Sequence, residues 1–231
     1  MILVICEHRD GKLTTNTREV VVFAQRAGRE MGVPVQVAVL GSGGVDLDAL
    51  KTAKIDGIIT VDDPKLNAYD PDVYVHIVKS IAERDHPSLI VAGHTTQGID
   101  FMPRLAAALR RPIAAGCVNY EKLGDRLVLT RQVFNGKMNL RVMSRGGGLC
   151  LATLVPGSFP GDELEVGGTP GLEAITVDLA SVAARRRFVR HRASRPRRDP
   201  CAPRRSLLPR GRSARMPRSA GRSGCADRAP E

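Results

Sequence analysis

The sequence has no uninterrupted apolar run of about 18 residues, the length a helix needs to cross a bilayer, so no transmembrane helix is expected. It has no Cys-x-x-Cys pair. Its five cysteines (Cys6, Cys117, Cys150, Cys201, Cys225) are odd in number and widely spaced. That gives no support to a disulfide framework or a zinc site, and suits buried thiols in a reducing cytoplasm. The glycines of "GSGG" (Gly41–Gly44) lack the spacing of a dinucleotide fingerprint and follow the second strand-like segment rather than the first. No Ser or Cys sits in a recognisable nucleophile elbow. The N-terminus has neither a basic stretch leading into a long apolar one nor an Arg/Ser-rich amphipathic stretch. "MILVICEH" reads as a strand that starts at once, so no signal or transit peptide is expected.

Lysine is absent from the last 47 residues. From Arg185 to Glu231 there are 16 Arg and three acids, whereas the first 184 residues carry 19 Lys+Arg against 21 Asp+Glu. The net charge of +11 and the pI near 10.0 therefore belong to the C-terminal stretch. They give no reason to assign the body to nucleic acid. A body of this length can bury one sizeable core.

What is present in the body alternates between two periods. "ILVIC" (Ile2–Cys6), "VQVAVL" (Val35–Leu40), "GIITVD" (Gly57–Asp62) and "SLIVAG" (Ser88–Gly93) are short apolar runs typical of strands buried on both faces. Between them lie helical patterns. Val20, Val21, Phe23, Ala24, Ala27 and Met31 form one stripe, with Asn16 and Glu19 as a capping box and Gly32 as the stop. Asp46 or Asp48 starts a short helix through Lys54. Asp70-Pro71 opens a helix whose stripe is Val73, Ile77, Val78 and Ile81. A further helix is expected from about Asp100 to Arg110, with Met102, Leu105, Ala106 and Leu109 inward. Such alternation predicts a parallel sheet covered on both faces. Residues 117–156 change pattern. "RLVLTRQVF" and "KMNLRVMSR" flank Asn135-Gly136, a hairpin signal, and "LCLATLVPG" follows. We read this region as antiparallel strands appended to the parallel sheet. "EAITVDL" (Glu173–Leu179) is the last clear strand pattern.

In an open parallel sheet, ligands sit at the C-terminal ends of strands near the point where strand order reverses. The loop after the fourth strand, "GHTTQGID" (Gly93–Asp100), is the candidate. Gly93 and Gly98 bracket Thr95, Thr96 and Gln97, and the free N–H groups of the following helix suit a phosphate. The plainer alternative is that both glycines permit a tight turn and the threonines cap the helix. His94 in this loop reads as a surface or interface histidine rather than a catalytic one. Asp62-Asp63 reads as a strand end and turn more readily than as a metal site, and Cys6 as a small buried apolar residue.

Four segments taken in order resemble the alpha subunit of the electron transfer flavoproteins. "MILVICEHRDGKLTTNTREVVVFAQ" is similar to its first strand and helix, and "VAGHTTQGIDFMPRLAAAL" to its small-residue loop followed by Gly-x-Asp and Pro-Arg-Leu-Ala. "LTRQVFNGKMNLRV" and "LATLVPGSFP" are similar to its Arg-Pro hairpin and the strand after it. Gln132 stands where that family has Pro, and Leu154 where it has Arg. The resemblance covers residues 1–160. It implies a three-layer, doubly wound α/β domain, Rossmann-like and of the adenine nucleotide alpha hydrolase-like kind, over residues 1–184. It also implies a beta subunit as partner, with the hairpin region in inter-domain contact. Acyl-CoA or other dehydrogenases would donate electrons, and a quinone-linked acceptor would receive them. FAD belongs to the intact complex, mostly in a second alpha domain whose motifs do not appear after Ala184. This chain alone is therefore not expected to retain FAD.

Residues 185–231 are Arg, Ala, Pro, Ser and Gly at 36 of 47 positions and cannot build a core, so a disordered tail is expected. All five residue types have GC-rich codons, and a shifted reading frame is the preferred origin. The alternative is an arm that holds polyanions without reading their sequence. Two other functions compete with the electron-transfer reading: a stand-alone ATP- or AMP-binding module of the same fold, and a nucleic-acid-associated protein acting non-specifically through the Arg tail.

Overall fold

In the computed structural model, which describes residues 1–144, 148–180 and 182, the first apolar run forms β1 (Ile2–Ile5), buried at every position. A small ribbon of β2 (His8–Arg9) and β3 (Lys12–Leu13) leads into α1 (Thr15–Met31). Next come β4 (Val35–Gly41), α2 (Asp48–Lys51), β5 (Gly57–Asp62), α3 (Pro71–Asp85), β6 (Leu89–Gly93) and α4 (Thr96–Leu109). The order continues with β7 (Ile113–Leu123), β8 (Arg126–Val133), β9 (Met138–Met143), β10 (Cys150–Leu154) and β11 (Gly171–Ala174).

Among the described residues, one nine-stranded sheet runs in the order β11-β5-β4-β1-β6-β10-β7-β8-β9. From β11 to β7 all neighbours are parallel; β8 and β9 add an antiparallel edge. Each central strand feeds two cores, because successive side chains point to opposite faces. Val4, Val37, Val91 and Leu154 meet Val20, Phe23 and Ala27 of α1 on one face. Leu3, Leu40, Ile90 and Leu151 meet Ile77 and Ile81 of α3 and Met102 and Leu105 of α4 on the other. Burying each such side chain contributes about 1.5–3 kcal/mol. The result is the three-layer, doubly wound α/β architecture that the alternation implied.

Three local readings are corrected. "LCLATL" is not part of the antiparallel edge: β10 lies between β6 and β7 and is parallel to both. Its positions 151–154 are all buried, so it has the double-sided burial of a central strand, and the chain returns from β9 to insert it. α1 is capped by Thr14, whose Oγ1 accepts from the Thr17 N–H at 3.3 Å. The ribbon brings the chain to the helix two residues before Asn16, so Asn16 lies inside α1 and forms no capping box. α4 starts at Thr96, one turn before Asp100, because Thr95 supplies the cap. The Asp70-Pro71 start, the Gly32 stop and the Asn135-Gly136 turn form as expected.

β1 leads to β4 and β5 on one side, while β6 lies on the other. The strand order therefore reverses between β1 and β6, and the C-terminal ends of these two strands flank the crevice where this architecture places ligands.

The expected tail, residues 185–231, lies outside the described residues. Both cores draw on the body, and among the described residues the latest contributors are Leu179 and Val182. A chain cut after Ala184 is expected to melt with the same cooperativity as the full chain and within about 2 °C of it, read by circular dichroism. A loss of several degrees would show that the tail packs.

Candidate functional site

At the crevice, the end of β1 is tied to α1 through Thr17. Its Oγ1 donates to the Glu7 carbonyl at 2.7 Å and accepts from the Glu7 N–H at 2.9 Å. One residue earlier on α1, Asn16 lies over Gly93. A Cβ at Gly93 would come 2.5 Å from Asn16 Nδ2 and 2.8 Å from Oδ1. Both amide atoms are enclosed and have no hydrogen-bond partner among the described residues.

The loop residues singled out by the sequence come together here, and most have local work. Thr95 Oγ1 accepts from the Gly98 N–H at 3.2 Å and caps α4. The Gln97 carbonyl accepts from the Tyr69 hydroxyl at 3.2 Å, and that hydroxyl also lies 3.3 Å from Asp100 Oδ2. Burial first, then Asp100, push the Tyr69 phenol well above its ordinary range. Gly98 has its bare Cα against the Gly93 carbonyl, which leaves no room for a side chain. Thr96 and its neighbour Ile99 are exposed.

His94 is half-buried, and its ring is held by Thr153. The Gly116 N–H donates to Thr153 Oγ1 at 3.0 Å, and the same oxygen lies 2.9 Å from His94 Nδ1. Thr153 is buried. Together these contacts anchor the His94 ring at the ends of β6, β10 and β7. Burial, and after it the positive charge of Arg131, hold its pKa below the ordinary 6.5. Nε2 faces Gly116, whose φ of +70° is a conformation other residues adopt at a cost. A Cβ there would come 3.5 Å from Nε2.

Arg131 faces Cys117 across the β7–β8 ladder. It shares its strand face with Leu127 and Leu129, which pack on the α1-side core. Its Nε is enclosed without a partner, and it forms no ion pair among the described residues. An enclosed donor left unpaired costs about 1–3 kcal/mol. Arg131 is the Arg of the hairpin segment that carries the family resemblance, but neither it nor Thr153 nor Gly116 was singled out as a site residue, since the three come from different strands.

The other singled-out residues serve the fold. Asp62 Oδ1 accepts from the Gly43 N–H at 3.0 Å, and Asp63 Oδ1 from the Lys65 N–H at 2.7 Å, as expected of a strand end and turn. Cys6 is buried and its thiol is driven up by burial. Burial also pushes the Cys117 thiol up to about 12.

A second feature lies at the antiparallel edge. Leu129 and Val142 are paired across β8 and β9 and belong to the α1-side core. Further out on the same face, Leu140 and Met138 emerge into solvent, 48% and 58% exposed, and Phe134 at the turn is 73% exposed. The apolar stripe therefore continues past its own cover.

A family model described as the electron transfer flavoprotein domain matches residues 2–180. The electron transfer flavoprotein subunit alpha of Bacillus subtilis (strain 168) is 29% identical over 184 residues, covering 78% of this chain and 55% of that protein. The subunit of the same name from Methylophilus methylotrophus is 30% identical over 185 residues, covering 80% and 56%. Lactate dehydrogenase (NAD(+),ferredoxin) subunit LctC of Acetobacterium woodii is 27% identical over 145 residues, covering 62% and 35%. The chain spans about half the length of the curated alpha subunits it matches.

Proposed function

The chain belongs to the electron transfer flavoprotein family, and from that membership we propose that it acts as the docking domain of an alpha-type subunit. Its partner is a beta-type subunit, and in the assembled complex electrons pass from acyl-CoA or other dehydrogenases to a quinone-linked acceptor. The observation that carries the docking role is the uncovered stripe of Leu140, Met138 and Phe134. It continues a core face outward, and patches of this kind mark protein contacts. The loop of Gly93, Thr95, Thr96, Gln97 and Gly98 is assigned to the same assembly as a contact loop. Exposed Ile99 and Thr96 beside it support that role over a phosphate cradle. Among the described residues no helix is long and apolar enough to cross a membrane, and we assign the chain to the cytoplasm.

FAD is placed in the intact complex, not in this chain. Cavities of about 440, 470 and 530 Å³ open at the starts of the strands, beside Ile2 and Leu89, beside Pro87 and Ser88, and beside Val35 respectively. That is the edge opposite the one where this architecture holds nucleotides. The purified chain is expected to lack the yellow absorption of flavin and to bind no stoichiometric FAD on reconstitution. Retention of one FAD per chain would refute this. The docking role itself is tested by co-expression with a beta-type subunit and size-exclusion chromatography. A heterodimer is expected, and two separate monomers would overturn the reading.

A further inference from the structure

We infer that the cleft between the β8–β9 hairpin and the starts of β1, β6 and β7 is a binding site for one small, uncharged organic molecule with an apolar body and a hydroxyl end. The site stands apart from the flavoprotein reading and from the exposed stripe of Leu140, Met138 and Phe134. The cleft holds about 440 Å³, within the roughly 300–1,000 Å³ of sites that take organic ligands. The strand starts give it Ile2, Leu89 and Ala114, and the hairpin gives it Leu127, Leu129 and Val142. Protein interiors are close-packed, with few voids larger than a water molecule, so a space of this size is more than a packing fault. Its origin lies in the sheet. β7 shifts register against β8 between Cys117 and Asn119, and such an irregularity bends a strand and raises its twist. The hairpin turns to the α1 side, where Leu129 and Val142 join the core, and its base stands off from the strand starts. Residues 145–147, after the lining residue Ser144, are Arg-Gly-Gly and hold no apolar side chain to fill the space.

The lining sets the chemistry of the ligand. Its charges are confined to one exposed pair, Asp125 and Arg126. Neither makes an ion pair or a side-chain hydrogen bond with a described residue. An anion that meets Arg126 also meets the Asp125 carboxylate, and a cation meets the reverse. A net charge therefore gains little here and loses hydration against the apolar walls. A hydroxyl suits both groups, because it donates to the carboxylate and accepts from the guanidinium. An apolar body covers the walls and releases the water on them.

The test uses the full chain with 13C-labelled Ile, Leu and Val methyl groups. The probe is 4-ethylphenol, and 4-ethylbenzoate and 4-ethylbenzylammonium are its charged counterparts. The phenol is expected to move the methyl signals of Ile2, Leu129 and Val142 saturably, and to leave those of Ile77 and Leu105 in the other core in place. Both charged counterparts are expected to bind at least about threefold more weakly. Ala114→Leu puts a larger side chain into the cleft and is expected to weaken the phenol by at least about tenfold, with no loss of melting temperature. Shifts that do not saturate, shifts shared equally by the two cores, or an Ala114→Leu titration equal to wild type overturn the site. A charged counterpart that binds more tightly than the phenol overturns the uncharged class. Should Ala114→Leu not fold, Val33→Phe narrows the same cleft from the end of α1. A loss of at least about threefold in phenol affinity is then expected, and unchanged affinity overturns the site.

Discussion

Replacing Gly98 by Ala is expected to lower the melting temperature by about 6–20 °C, the largest effect of any single-methyl change in the chain's candidate site. The added Cβ would collide with the Gly93 carbonyl oxygen, a backbone atom that has no rotamer to yield. Relief requires α4 to move off the end of β6. That would break the bond from the Gly98 N–H to Thr95 Oγ1 and disturb the packing of Met102 and Leu105. Overpacking of this kind costs about 1–3 kcal/mol when side chains can adjust, and more when backbone must shift. Here about 3–5 kcal/mol is expected, and for a domain of this size each kcal/mol corresponds to about 2–4 °C. Gly57→Ala is the control, since the nearest atom to its Cβ would be 3.6 Å away on the flexible Gln36 side chain. It should change the melting point by no more than about 2 °C. Equal behaviour of the two variants would show that α4 and β6 are not locked at this contact.

How legible the fold was depended on whether a signal was local. β1, β4, β5 and β6 are short apolar runs bounded by turn residues, and the helices between them carry stripes at helical spacing, so class and layer order followed directly. The place of β10 did not. "LCLATL" is as apolar as the other central strands, but its position between β6 and β7 is set by a return from β9 that no local pattern records. Neighbouring hairpin strands made the antiparallel reading attractive, and double-sided burial overruled it. The cap of α1 was misread for a similar reason. Thr14 and Asn16 are both good capping types, and the choice was made by the β2–β3 ribbon, a long-range feature.

The site was half legible. Architecture alone pointed to the loop after β6, and Gly93, Thr95 and Gly98 do meet there. What those residues do could not be read from types and spacing, because the answer lies in partners distant in sequence. Asn16 explains Gly93, and the Gly93 carbonyl explains Gly98. His94 is explained by Thr153 and Gly116, brought in by β10 and β7, and its positive neighbour Arg131 comes from β8. A lone histidine in a loop is a weak signal. A histidine whose Nδ1 lies 2.9 Å from a buried hydroxyl is a specific one, and only the folded sheet assembles that contact.

Phe134→Lys and Met138→Lys are each expected to weaken association with a beta-type subunit by about 100-fold or more, while shifting the melting temperature of the isolated chain by less than about 2 °C. The dissociation follows from chemistry at an interface centre. A lysine would bring a strongly hydrated charge into a patch meant to be dry, and large apolar anchors in such patches cost about 2–4 kcal/mol when lost. The unchanged stability follows from exposure. Phe134 is 73% and Met138 58% exposed in the chain alone, so their replacement removes little buried area from the domain's own core. Leu129→Lys gives the contrast, because Leu129 is 3% exposed and belongs to the α1-side core. That variant should unfold. If Phe134→Lys and Met138→Lys also unfold, the outer stripe is part of the core and the docking role falls. If they fold and still bind the beta-type subunit as tightly as wild type, docking uses another face. β9 is an edge strand whose outer side has no neighbour among the described residues, and its "MNLRVM" sequence holds a single charge. Natural edges of that length are normally shielded by Lys, Pro or a covering element. This edge has neither of those residues, and its Arg141 is engaged by Glu121 at 2.6 Å. A partner that covers the stripe also shields the edge, so the Lys variants without a partner should be more soluble than wild type at equal concentration.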